Sequence, residues 1–177
     1  MGKAIGRPEL SEIAPHAKAY VDLVPGDDVL AVLDAQIVKT TEFLKSLPEA
    51  HAATFTYAPG KWRTKQIVGH LSDCERIFAC RALRLARGDT TPLPGFEQDG
   101  YVAAANSNER TLASLLDELE LVRKSTLVLL KSLPDAAWLR RGLVSDRNAT
   151  VRGIAYTLAG HELHHFKILQ ERYVPAL

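Results

Sequence analysis

Near its C-terminal end the chain reads Gly160-His161-Glu162-Leu163-His164-His165, which places three of its six histidines in five consecutive positions. His161 and His165 are four residues apart. On a helix that spacing puts both on one face, one turn from each other, where two imidazoles reach a single metal ion. Both also fall on positions that the local apolar repeat assigns to a core. A buried imidazole needs a partner for each ring nitrogen, so two adjacent ones need two sets of partners or a cation. A third histidine, His70, stands in Gly69-His70-Leu71-Ser72-Asp73 and flanks the apolar face of another helical segment. Three inward histidines on two helices converge if the helices are neighbours at matching heights, and spacing alone leaves that undecided. Three neutral imidazoles leave open positions on zinc or another first-row divalent ion, as catalytic sites do and closed structural sites do not. A water at such a position ionises near neutral pH.

The same stretch fits the zinc-protease pattern H-E-x-x-H, with Glu162 as general base. Only twelve residues follow His165, Glu171 is the sole candidate for a third downstream ligand, and no edge strand is predicted to bind a peptide. The spacing is present without its context. Glu162 has two further readings: it orients a ligand or accepts a proton, or it pairs with an arginine. Asp73, three residues after His70, either fixes the tautomer of a ligand imidazole or is a solvated helix residue. Cys74, one turn after His70, reads as a small buried hydrophobe or as a thiolate ligand. His164 points away from both His161 and His165 and faces solvent or supports a ligand. Trp62 covers the start of its helix. Tyr101 and Asn106, with Asp99, sit on a long connection where a pocket lid contacts substrate. Arg81, Arg84 and Arg87 form a ridge that is either a solvated face or an attractor for an anionic substrate or thiol cofactor. His16 and His51 have no evident partner.

Composition bounds the setting. A chain of 177 residues, 46% apolar and 24% charged, is one ordinary globular domain. Twenty-two basic residues against twenty-one acidic ones leave a net charge of +1, which lacks the basic footprint of a dedicated nucleic-acid binder. Two cysteines, Cys74 and Cys80, are too few for a disulfide scaffold, and six residues apart on one helix they point about 240° apart and cannot bridge. No run approaches the roughly 18 apolar residues of a membrane span, and the start lacks the pattern of a secretory signal, so the cytoplasm is the expected compartment.

The elements that must position these side chains are helices. Apolar steps of three and four predict helices over about 27–47, 64–87, 108–133 and 150 onward, each about 20 to 24 residues or roughly 30 to 36 Å long. Pro25-Gly26 and Pro48 bound the first, Thr64 and Gly88 the second, and Thr150 caps the fourth. Matched lengths and stripes predict an all-α four-helix bundle. The connection over 88–107 is long enough to run the length of the bundle and carries a short helix over 98–106. Residues 1–26 are expected to form an N-terminal arm and residues 27–177 the bundle domain, and strand signals are nearly absent.

Pro59-Gly60-Lys61-Trp62-Arg63, Gly69-His70-Leu71-Ser72-Asp73 and Gly160-His161-Glu162-Leu163-His164-His165 resemble the paired signatures of the DinB-like superfamily. The crossover Arg87-Gly88-Asp89-Thr90-Thr91-Pro92-Leu93-Pro94-Gly95-Phe96 resembles one branch of it, and the similarity extends over about 20–173. These proteins are unrelated to the DNA polymerase of similar name. The resemblance implies a four-helix bundle with a long crossover after the second helix. It implies a divalent metal, zinc or nickel, held by three histidines that map onto His70, His161 and His165. It further implies a homodimer, and in some relatives a thiol-dependent transferase or isomerase using mycothiol or bacillithiol. The expected function is a metal-dependent enzyme that activates water or a low-molecular-weight thiol against a small-molecule substrate, by transferase or hydrolase-like chemistry. The alternative is a non-catalytic, metal-stabilised bundle that binds a small molecule or dimerises. An enzyme keeps an exchangeable metal position facing an accessible pocket; a structural site is closed.

Overall fold

The computed structural model describes residues 5–174, so residues 1–4 of the expected arm and 175–177 of the expected bundle domain lie outside the described part. Two short turns, Leu10–Glu12 and Pro15–Ala17, lead into α1 (Lys18–Val21), followed by α2 (Val29–Lys45), α3 (Glu49–Thr54), α4 (Thr64–Ala86) and α5 (Gln98–Ala104). Then come α6 (Leu112–Lys131), a hairpin of β1 (Arg141–Val144) and β2 (Arg147–Thr150), and α7 (Val151–Ile168), which ends in a wider turn over Leu169–Tyr173. The long helices α2, α4, α6 and α7 form the four-helix bundle.

Local chemistry sets where they begin. The Asp28 carboxylate accepts from the Ala31 amide at 3.0 Å to start α2, and the Thr150 hydroxyl accepts from Gly153 at 3.0 Å to start α7. The third long helix starts at Leu112 rather than near Asn108, because Thr111 caps it and the preceding Ser107–Glu109 forms a separate tight turn. The hairpin is the clearest departure from the sequence expectation. Its two-residue turn places Ser145 and Asp146 at φ 50° and 61°, the conformation of a tight hairpin turn that usually advertises itself as Asn-Gly.

Side-chain contacts fix the helix directions. The start of α4 meets the end of α7, where the Tyr173 hydroxyl donates to the Trp62 carbonyl, and the end of α4 meets β1, where Gly142 packs on Leu85. Those two helices are antiparallel. Lys45 pairs with Glu120 and Lys131 with Asp34, so α2 and α6 are antiparallel as well. Lys65 reaches the Arg110 carbonyl and Arg76 reaches Glu118, which makes α4 and α6 parallel. The resulting order is up, down, down, up, and the long crossover carries the chain back along α4. Leu93 pins that crossover to the hairpin: its amide donates to the Leu143 carbonyl at 2.9 Å and its carbonyl accepts from Ser145 at 2.8 Å.

The core is two apolar clusters with a polar layer between them. Leu33, Ala82, Leu127 and Leu158 belong to one cluster, and Leu44, Leu71, Leu119 and Leu169 to the other. Every long helix places buried polar residues between these two levels: Gln36 and Thr40, Glu75, Arg123, and His161 with Glu162. The arm covers one face of α7. A Cβ at Gly160 would collide with the Tyr20 carbonyl, and one at Gly153 with the Glu12 carbonyl, so these two glycines let the arm's backbone lie directly on the helix. Glu12 fastens the arm there, accepting from the Thr150 hydroxyl and Arg152 Nε, each at 2.7 Å.

Candidate metal centre

His70 lies two turns into α4, while His161 and His165 come from the second half of α7. The antiparallel packing of these helices resolves the height question that spacing left open. His70 Nε2 stands 3.1 Å from His161 Nε2, and one ring nitrogen from each of the three histidines lies within 4.8 Å of the others. Ring centroids are 5.0, 5.0 and 4.7 Å apart, each pair edge to face. Among the described residues this is the one such group of histidine, cysteine and acidic side chains.

The arrangement fits a divalent ion. Two nitrogens bound to one ion at about 2.05 Å, subtending about 90–109°, lie about 2.9–3.4 Å apart, and the observed 3.1 Å falls inside that interval. Burial keeps the rings in the neutral form that ligates. It pushes His70 down to about 4 and His165 down to about 3, the latter with help from His70 and His164, and holds His161 far below the ordinary imidazole range. Two neutral rings whose Nε2 atoms face each other share at most one proton across that contact, so at least one presents a lone pair.

Aromatic side chains wall the group. Trp62 lies against His70 at 4.7 Å and stacks on His165 at 6.4 Å. Tyr20 meets His161 and His164 edge on, and Phe78 meets His161 at 5.9 Å. Cys74 Sγ is 3.5–3.6 Å from the His70 ring nitrogens but outside the three-membered group. Burial raises its thiol to about 12, the behaviour of a small core residue. A glycine precedes a histidine on each helix for the same reason. Gly160 admits the arm beside His161, and Gly69 admits Ser107 of the crossover beside His70.

One side is open. His165, with Tyr57, Lys61, Trp62, Asp99 and Tyr173, lines a cavity of about 310 Å³.

The other side chains singled out in the sequence lie elsewhere. Glu162 is 1% exposed and turns into the polar layer, where its carboxylate accepts from Thr40 at 2.6 Å, from Gln36 and from Arg123 at 2.6 Å. Its arginine is on α6, not on its own helix. Asp73 faces Arg76 at 3.8 Å and touches no histidine. It lines a surface groove with Tyr101 and Glu118, and burial raises its carboxyl. Tyr101 packs on Phe96 at 5.3 Å, and exposed Asn106, at φ 51°, caps the Ser107–Glu109 turn. The arginine ridge divides: Arg81 is buried, Arg84 pairs with Asp89 at 2.6 Å, and Arg87 caps the end of α4. Trp62, Tyr20 and Phe78 are the wall residues that sequence reasoning did not assign to the site. Only Trp62 carried a signal, its position one residue after Lys61 in the Pro59–Arg63 motif.

A four-helix bundle with a histidine group between antiparallel helices is the architecture of a known class. Residues 32–169 match the DinB superfamily, and the chain belongs to it. Its fold is similar to that of YfiT from Bacillus subtilis, described as a probable metal-dependent hydrolase with an unusual four-helix bundle topology. The two share 17% identity with a TM-score of 0.68, over 97% of this chain and 94% of YfiT. It is also similar in fold to the mycothiol-dependent maleylpyruvate isomerase, at 13% identity and a TM-score of 0.68. That match covers 84% of this chain but 62% of the isomerase. No curated protein matches the chain by sequence. No described helix is long and apolar enough to cross a membrane.

Proposed function

We propose that the protein is a divalent-metal-dependent enzyme whose ion is held by His70, His161 and His165. The observation that carries this reading is the convergence of three buried neutral imidazoles beside a cavity that His165 lines. A divalent ion held by these three histidines would supply Lewis acidity toward a water or a small-molecule thiol. The chain's own residues hold the three rings apart and fix their orientation. Trp62 and Tyr20 exclude water from the buried side, and the cavity between Trp62 and Asp99 admits the substrate. The cavity favours the catalytic reading over a closed structural site, which needs none. Zinc and nickel are the proposed ions, since a three-imidazole site suits both. A low-molecular-weight thiol is the proposed co-substrate. The same proposal places the arm at residues 1–26, the bundle domain at 27–177, a homodimer as the assembly and the cytoplasm as the compartment. Leu121 and Val128, 65% and 72% exposed and two turns apart on α6, are the feature that favours a second copy.

Elemental analysis of untagged protein tests the ligand set. About one divalent ion per chain, absent from His161→Ala, is the expected result. A metal-free, fully folded wild type overturns it. Turnover of an electrophile that needs both the ion and a small thiol separates the transferase reading from the hydrolytic one.

A further inference from the structure

Arg81 is a buried cation without a counter-ion. It is 8% exposed, and no carboxylate lies within ion-pair distance of it among the described residues. Its guanidinium donates to the Pro94 carbonyl at 2.7 Å and to Ser145 Oγ at 3.4 Å, and it lies near the Phe78 and Phe96 rings at 5.9 and 5.7 Å. Neutral acceptors and ring faces offset only part of the cost of burying such a charge.

The side chain lines a cavity of about 60 Å³ between the N-terminal arm, the hairpin and the bundle. Arg147 lines it from the hairpin and has no ion-pair partner among the described residues. Exposed His16 adds no negative charge. Glu12, the one acidic residue on the wall, is already taken by Arg152 and Thr150. Two arginines therefore line this space with no carboxylate partner among the described residues. The rest of the wall is mostly apolar, with Ile13, Phe78, Val144 and Ile154, and carries the polar side chains of Ser145, Asn148 and Thr157.

We propose that Arg81 and Arg147 bind the carboxylate of a small organic acid whose short apolar body rests on Ile13, Phe78 and Ile154. A guanidinium fork matches a carboxylate in two-point geometry. The apolar part of the wall suits a carbon chain, which a tetrahedral dianion lacks. A volume of about 60 Å³ suits a chain of a few carbons. Phe78 stands between this pocket and the His161 ring, so the bound acid does not need a metal at the histidines. The proposal is independent of the metal reading.

Calorimetric titration of the full chain at neutral pH with sodium butyrate tests it, with acetate and inorganic phosphate as comparators. Saturable one-to-one butyrate binding is expected, about tenfold tighter than either comparator and weakened about tenfold or more in Arg147→Met. Arg81→Met abolishes it. Arg147 is exposed on the hairpin, so that variant decides the matter if Arg81→Met fails to fold. Absence of saturable butyrate binding overturns the proposal, as does phosphate binding as tightly as butyrate. Undiminished affinity in Arg147→Met also overturns it, because the carboxylate then sits elsewhere.

Discussion

Arg123 Nη2 donates to Glu162 Oε2 at 2.6 Å, between two side chains that are 1% and 2% exposed, one residue from the proposed ligand His161. The same guanidinium holds Glu75 of α4 through two bonds of 2.7 and 2.8 Å and the Leu33 carbonyl of α2 at 2.9 Å. One side chain on α6 thus ties the other three long helices together at the level of the histidines. Both carboxylates are acceptors shielded from bulk solvent, each residue 1% exposed. Removing the arginine leaves two uncompensated charges in the core, which costs more than the ion pair contributes. Arg123→Met is expected to lower unfolding stability by about 3–5 kcal/mol, read from urea denaturation midpoints. Glu162→Gln keeps the side-chain shape and one acceptor and should cost less. An equal loss in both variants would show that the charge on Glu162 is itself indispensable.

Glu12 makes the arm pH-sensitive. Its bonds from Arg152 and Thr150 hold the carboxyl down near 2, against an ordinary value of 4.5. A carboxyl with a lowered folded pKa contributes stability above its unfolded pKa and loses it as pH falls through the folded one. The contribution is complete above about pH 5 and fades from there towards pH 2, amounting to at most about 3 kcal/mol. Glu12→Gln is expected to flatten the acid limb of a stability-against-pH curve in that window. An unchanged acid limb would mean that the pair forms equally in the unfolded chain.

Gly160 is a steric requirement of the site. A methyl group there meets the Tyr20 carbonyl and α-carbon, which are backbone atoms and cannot swing aside. Gly160→Ala must push the arm off α7 and take the Tyr20 ring away from His161. Overpacking of this kind costs about 1–3 kcal/mol, and limited proteolysis should cut first within residues 10–24. The expected signature is arm cleavage in a bundle that keeps its helical circular dichroism. A protease pattern identical to wild type would show that the arm tolerates the methyl group in place.

The four long helices were legible because each carries an apolar stripe of helical period between its caps, and the spacing of His161 and His165 set both on one face. Their meeting with His70 was not, since it depends on α4 and α7 running antiparallel, and direction is a tertiary property. For Glu162 the sequence left pairing with an arginine open but could not say which one: its neighbours in sequence are imidazoles, while its neighbours in space, Thr40, Gln36 and Arg123, come from other helices. The hairpin hid because Ser145 and Asp146 adopt positive φ without a glycine to signal it. Gly69 and Gly160 showed in the motifs only as letters before a histidine. Their meaning lies in Ser107 and Tyr20, which approach from distant parts of the chain.

Trp62 gives a direct optical report on the histidines. Its ring lies 4.7 Å from His70 and 6.4 Å from His165, whereas the other tryptophan, Trp138, is buried with the Leu127 and Leu158 cluster. An ion bound by these rings changes the field and the quenching at Trp62 and leaves Trp138 untouched. Nickel titrated into metal-stripped protein is therefore expected to quench part of the tryptophan emission, saturating at about one ion per chain. Trp62→Phe should abolish the quenching while keeping nickel affinity within about tenfold, because phenylalanine preserves an apolar wall but supplies no ligand. His165→Ala should weaken nickel binding itself, since it removes one of three donors. Quenching that persists in Trp62→Phe would place the ion beside Trp138, away from the three histidines.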